Sequence, residues 1–251
     1  MTRSRWARPA LVISSCGLLL ALWALSSHSL DELVLPSPGE VWSAFRDDLD
    51  RGAWWEAVSA TLGHVLTAFG VVLALGIPIG VAMGRLAVVE DLLRVPVILL
   101  QTAPTVVLAA IALIALGTGD TGVVAVTVAS SLPFFIVGIV QGTREVDPGL
   151  VQMARAYGAG EAAVVRSVVL PSLIPYVLAG SRIALGVGWH VTILGEYLFG
   201  TPAVGSQIAS DIRLLDQASV FSWGLTIVAV TVLLEYGAFR PAERALRRWT
   251  R

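Results

Sequence analysis

The sequence predicts an all-α fold: one polytopic membrane domain, residues 1–251, with about six transmembrane helices. Three observations predict it. Hydrophobic residues make up 56% of the chain and only 14% is charged, whereas a soluble domain carries about 25% charged residues. Apolar runs of spanning length recur from end to end, with mean hydropathy +0.79. The arginines fall almost entirely on alternate loops.

The first run, 9–26, follows the basic start MTRSRWAR and is just long enough to span; its length and small-residue end also fit a cleaved signal peptide. A polar, acidic segment follows, with LPSP at Leu35, Pro36, Ser37 and Pro38 and then a short amphipathic stretch, 39–49. The second span, 57–84, contains Gly76, Pro78 and Gly80, which read as breaks tolerated by neighbouring helices. The third, 95–117, carries Gln101 and Pro104, and the fourth, 122–141, carries Pro133. The fifth is 176–199 and the sixth 220–239, followed by a basic tail.

With the N-terminus inside, the inner loops and ends hold Arg3, Arg5, Arg8, Arg85, Arg94, Arg144, Arg155, Arg166, Arg240, Arg244, Arg247, Arg248 and Arg251. The outer loops hold only Arg46, Arg51 and Arg213. This asymmetry predicts an N-in, C-in topology with the loop at 147–175 in the cytoplasm. Composition also excludes. The net charge of −1 gives no basis for nucleic-acid binding, and a lone cysteine, Cys16, allows neither an internal disulfide nor a cysteine metal site. All seventeen basic residues are arginine. A phosphate-binding Walker loop needs a lysine, so if ATP drives this protein, another chain hydrolyses it.

The 147–175 loop is the longest stretch between the last four apolar runs and reads as two short helices about a glycine elbow. Asp147 can cap and Pro148 fits the first helical position. Gly158 tolerates a left-handed stop. Gly160 and Glu161 open a second helix, which Pro171 and Pro175 close. Tyr157, Met153 and the Val164, Val165, Val168 cluster offer an apolar face, with Arg155 and Arg166 as polar anchors.

Those residues carry a resemblance. Membrane subunits of bacterial ABC importers share the EAA loop: Glu-Ala-Ala, three residues, Gly, nine residues, Ile, one residue, Leu-Pro. Here Gln152, Met153 and Ala154 are followed at matching spacing by Gly158, Val168, Leu170 and Pro171. Gln152 replaces the Glu and Met153 the first Ala, and the literal Glu161-Ala162-Ala163 is out of register. Val146-Asp147-Pro148, Ala156-Tyr157-Gly158, the LPSP segment, Trp189, Gly195-Glu196 and Val204-Gly205 resemble permeases for sulfonates, taurine, nitrate and related compounds. Gln101, Ala110 and Ala115 stand where that group often has Arg, Pro and Trp, which leaves the substrate open.

The resemblance implies a permease subunit in the bacterial cytoplasmic membrane, acting as a homodimer. Its partners would be separate ABC ATPase subunits, which bind ATP and Mg, and an extracytoplasmic solute-binding protein. Gln152, Met153, Ala154, Arg155, Tyr157, Gly158, Val168, Leu170 and Pro171 would couple to the ATPase. No cofactor, metal or catalytic residue is expected in this chain. Polar groups within spans are functional candidates: Gln101, Pro104, Trp189, His190 and Glu196 for the pathway or a gate. Glu235 is expected to pair with Arg182 or Arg240. An ATP-independent channel or secondary transporter is the alternative. An intramembrane enzyme using Ser130 or Ser131 with His64 or His190 is another, although no nucleophile–base spacing supports it.

Overall fold

The structure, a computed structural model, describes residues 7–29, 34–239 and 241. The basic ends counted above lie largely outside the described residues. Every regular element among the described residues is helical: α1 (Ala7–Ser27), α2 (Pro38–Asp50), α3 (Ala53–Arg85), α4 (Ala87–Thr102), α5 (Thr105–Leu116), α6 (Asp120–Arg144) and α7 (Pro148–Ala156). Then come α8 (Glu161–Val164), a π-helical stretch (Val165–Val169), α9 (Leu170–Ser172), α10 (Ile174–Phe199), α11 (Val204–Leu214), α12 (Gln217–Leu234) and a second π stretch (Glu235–Phe239). Among the described residues α3, α6, α10 and α12 (with its first π residues) are each long and apolar enough to cross a membrane. The pair α4 and α5 passes the same test only together.

The core is a layer of three helices, with α6 between α3 and α10. Glycines let them approach. A Cβ on Gly76, Gly80 or Gly84 of α3 would meet Phe135, Ile139 or Thr143 of α6. On the other side of α6, the rings of Phe199 and Tyr176 from α10 occupy the space over Gly122 and Gly142. Without a hydrophobic drive between helices in lipid, such close backbone packing is a main source of association. Gly76, Pro78 and Gly80 are therefore not breaks. α3 runs unbroken through all three, and its glycines are a packing surface.

The third span does break. α4 and α5 meet at 103°, because Ala103 before Pro104 is extended and Pro104 has no N–H to continue the ladder. The Thr102 hydroxyl donates back to the Ile98 carbonyl at 2.9 Å, in the last turn before the break. Pro171 behaves in the opposite way. It does not close a helix. The preceding turn widens, the Leu170 N–H reaches the Val165 carbonyl, and the chain stays helical from Glu161 to Phe199 apart from a turn at Leu173. A π turn accommodates the proline within the helical path.

Helix starts follow local chemistry. Ser37 of the LPSP segment caps α2 reciprocally with Glu40 while Pro38 takes the first helical position. Trp23 of α1 donates its indole N–H to the Pro36 carbonyl at 3.0 Å and stacks on Phe221 of α12.

Candidate functional site

Two sites stand at opposite ends of the bundle. At the end holding α7 and α8, Asp147 accepts a hydrogen bond from the Gly149 N–H at 2.7 Å, and Pro148 starts α7. The chain turns at Gly158, whose φ of +83° lies in the left-handed region that favours glycine. Glu161 then fastens the elbow. Its Oε1 accepts from Arg155 Nη2 at 2.6 Å and Nε at 3.0 Å, and its Oε2 accepts from Arg85 Nη2 at the end of α3 at 2.6 Å. Arg155, expected as a polar anchor, is half exposed and also joins this clamp within the chain. The residue set aside as out of register holds that clamp together.

No α7 residue is buried. Gln152 and Met153 are exposed and Tyr157 is 87% exposed at the tip; Ala154 is half-buried against the core. The second half of the loop divides differently. Val164 and Val169 are buried with Phe135, Ile139 and Leu173, and Val168 is half-buried. The expected apolar face therefore splits. Leu150, Met153 and Tyr157 face outward, while the valines anchor the elbow to the bundle. Leu170 and Pro171 remain exposed at the base.

At the far end, Glu196 of α10 is 0% exposed. Its Oε2 accepts from the Thr61 hydroxyl at 2.9 Å and from the Gly205 backbone N–H at 3.0 Å. His64 Nδ1 lies 2.8 Å from its Oε1. The other ring nitrogen of His64 is 3.3 Å from Asp120 Oδ1, at the start of α6. Thr61 also accepts from the Val204 N–H at 3.1 Å. The first two backbone N–H groups of α11 are left over by any helix, and here a carboxylate and a hydroxyl satisfy them. A Cβ on Gly205 would collide with the Ile193 carbonyl oxygen and the Glu196 side chain. One buried carboxylate thus ties α3, α10 and α11 together and reaches α6 through His64.

Sequence reasoning singled out Glu196 but not Thr61 or Asp120, and it weighed His64 only as a weak polar candidate within its span or as a catalytic base. The available signal was the pairing of Gly195-Glu196 with Val204-Gly205, two short motifs that the fold brings into contact. The remaining pathway candidates separate. Trp189 is buried with Trp223 and Val65, and its indole N–H has no hydrogen-bond partner among the described residues. His190 is exposed in the middle of α10, its Nδ1 2.7 Å from the Gly186 carbonyl. Gln101 lines a cavity of about 250 Å³ with Gln141, Gly138 and Gly180, and Pro104 is exposed at the break. Arg182 forms an ion pair with Glu235, one of the two pairings expected of that acid; the other, with Arg240, lies outside the described residues. Among the described residues no group of three or more His, Cys, Asp or Glu side chains is placed to hold a metal ion.

Residues 76–238 match the family described as binding-protein-dependent transport system inner membrane component. The taurine transport system permease protein TauC of Escherichia coli (strain K12) is 26% identical over 98% of this chain and 94% of its own length. The permease protein SsuC of the same organism, ascribed to aliphatic sulfonates transport, is 27% identical over 92% of this chain and 88% of its own. Among solved structures, the MetNI methionine ABC transporter in an inward-facing conformation superposes with a TM-score of 0.66. That match covers 79% of this chain and 97% of the other, at 20% identity.

Proposed function

This chain belongs to the family of binding-protein-dependent transport system inner membrane components, and from that premise we propose a specific division of labour for it. It is a permease subunit of an ABC transporter, a multi-pass protein of the cytoplasmic membrane that moves a solute and is not itself an enzyme. Six spans run N-in, C-in, so the α7–α8 elbow lies in the cytoplasm and the Glu196 end faces outward. Two ATPase subunits, which bind ATP and Mg, seat the elbows of two copies of this chain. An extracytoplasmic binding protein delivers the solute, a small sulfonate, taurine or a related compound, at the outer end.

The observation that carries this reading is the outward apolar tip of the elbow. A tyrosine 87% exposed on a helix with no buried residue contributes nothing to this chain's own core. It suits a partner's cleft. The buried valines anchor that tip to the bundle, so a push on it is passed toward α10 along the helical path, which is interrupted only by the turn at Leu173. The second copy is supported by α10 itself: Ala179, Ile183, Gly186 and His190 form an exposed stripe at helical spacing. An imidazole at mid-span is better placed in a shared pathway than against lipid tails.

Crosslinking tests the coupling. A single cysteine at Ala156, which is exposed, is expected to form an adduct with the ATPase in the intact complex, weakened when ATP is trapped. An intact complex that yields no adduct from this position contradicts the reading.

A further inference from the structure

Where α1 meets α2 and α12, the seam is hollow. Two apolar cavities of about 340 and 420 Å³ lie there, both lined by Trp23 of α1 and Leu225 of α12. Among the described residues no charged side chain lines either one. The first is a slot. It starts under α2 at Val41, Trp42 and Phe45 and follows α12 from Ser222 to Ala229, a fall of about 10 Å along the helix axis. The Thr226 hydroxyl on its wall already accepts the Trp54 indole N–H at 3.1 Å. An apolar space of this kind is a poor site for water, and left empty it forfeits dispersion contacts on every wall. Hydrocarbon is the chemistry that fits it.

The mouth of the slot has a different character. α2 divides its surface: Val41, Trp42 and Phe45 line the slot, while Glu40, Asp47 and Asp50 line a separate groove on the other side. The rings of Trp42, Phe45, Trp54 and Trp55 touch in series, and Trp42 and Trp55 are exposed. Tryptophans so placed mark the headgroup level of a membrane, and a helix divided in this way lies in the interface plane. Arg46 stands over the Trp42 ring, 5.3 Å from its centroid. Arg51 of the same segment is engaged by Asp48; Arg46 enters no ion pair among the described residues.

We propose that the slot holds one acyl chain of a membrane phospholipid, with the lipid phosphate on Arg46. A guanidinium at headgroup level takes a phosphate, and the dry slot below it takes the tail. The lipid then fills the seam between α1 and the bundle and is held there, unlike lipid resting against the convex apolar face of α12 at Val228 and Leu233. This site depends on the chain's place in a membrane and on neither the solute nor the partner subunits.

The test uses the complete purified transporter in mixed micelles with phosphatidylglycerol carrying a photoreactive diazirine on its acyl chain. Adducts mapped by mass spectrometry are expected at Leu20, Leu225 and Ala229. Unlabelled phosphatidylglycerol should suppress them at about one tenth the concentration needed of a diacylglycerol with the same chains, which lacks the phosphate. Arg46→Gln, at an exposed position, should erase that tenfold difference. Ala229→Trp should fill the slot and cut labelling about tenfold, and Val228→Trp, beside it on the lipid-facing surface, should leave labelling unchanged, with both variants unfolding at the wild-type temperature. Should Ala229→Trp fail to fold, the competition in wild type and in Arg46→Gln decides alone. Labelling spread evenly over Val228, Leu233 and the slot, or insensitive to competitor, overturns the site in favour of unspecific boundary lipid. Equal competition by the two lipids in the wild type, or a difference that survives Arg46→Gln, overturns Arg46 as the phosphate seat.

Discussion

The two ends of the bundle keep their charges in opposite ways. At the elbow end, Arg85 and Arg155 meet Glu161, Arg144 meets Glu90 and Arg182 meets Glu235, mostly on exposed surface. At the far end, two carboxylates are buried. Glu196 is held by a hydroxyl, an imidazole and a backbone amide, and Asp48 has one oxygen left over. Exposed pairs are worth about 0–1 kcal/mol each and can re-form after a movement. Breaking a buried pair costs about 3–5 kcal/mol. The contrast teaches where the protein can yield: the far end is pinned, and the elbow end is fastened by contacts that permit displacement.

The largest expected effect comes from unpinning the far end. Glu196→Ala leaves the Thr61 hydroxyl, His64 and the Gly205 N–H without their acceptor. It should lower stability by about 3–5 kcal/mol, read as a loss of thermal unfolding temperature in detergent. An unfolding temperature equal to wild type would break the comparison.

Asp211 gives an intermediate effect with a sign. Burial first, then Asp216 and Asp48, push its folded value up to about 6, above its ordinary 3.8. The protonated form therefore favours the fold below about pH 4, and that benefit is lost as pH rises through about 6. Asp211→Asn keeps a neutral side chain throughout. It should match wild type near pH 4 and exceed it near pH 7.5 by about 1 kcal/mol after screening, or about 2–4 °C in unfolding temperature. A variant less stable at pH 7.5 would remove the case for an unbalanced acidic corner.

The smallest effect belongs to the elbow clamp. Glu161→Gln should cost under about 1 kcal/mol, and a double-mutant cycle with Arg155→Ala should find a coupling of a few tenths. A coupling of about 3 kcal/mol would make the elbow as rigidly pinned as the far end and erase the distinction.

Much of this was legible in the sequence, and the gaps have physical causes. Capping chemistry is local, so Asp147, Pro148 and Gly158 were readable as starts and stops. Packing is not local. Gly76 and Gly80 read as breaks because nothing along the chain says that Phe135 and Ile139 lie opposite. Proline is ambiguous for the same reason. Pro104 breaks its span and Pro171 does not, and a widened turn makes the difference. The valines of the elbow could have faced a partner or the core, and only the fold chooses. Glu196 stood out as a rare intramembrane acid, but Thr61, His64 and Asp120 come from sequence positions more than 70 residues away and were invisible as its company.

The most direct test of the central claim, that the exposed tip of α7 transmits ATP-driven motion while adding nothing to the fold, is Tyr157→Ala in proteoliposomes holding the complete transporter. The tyrosine is 87% exposed, so stability should stay within about 0.5 kcal/mol of wild type, while ATP-driven uptake falls about tenfold or more. Full uptake in the variant, or a loss of uptake that merely follows a loss of stability, would contradict it.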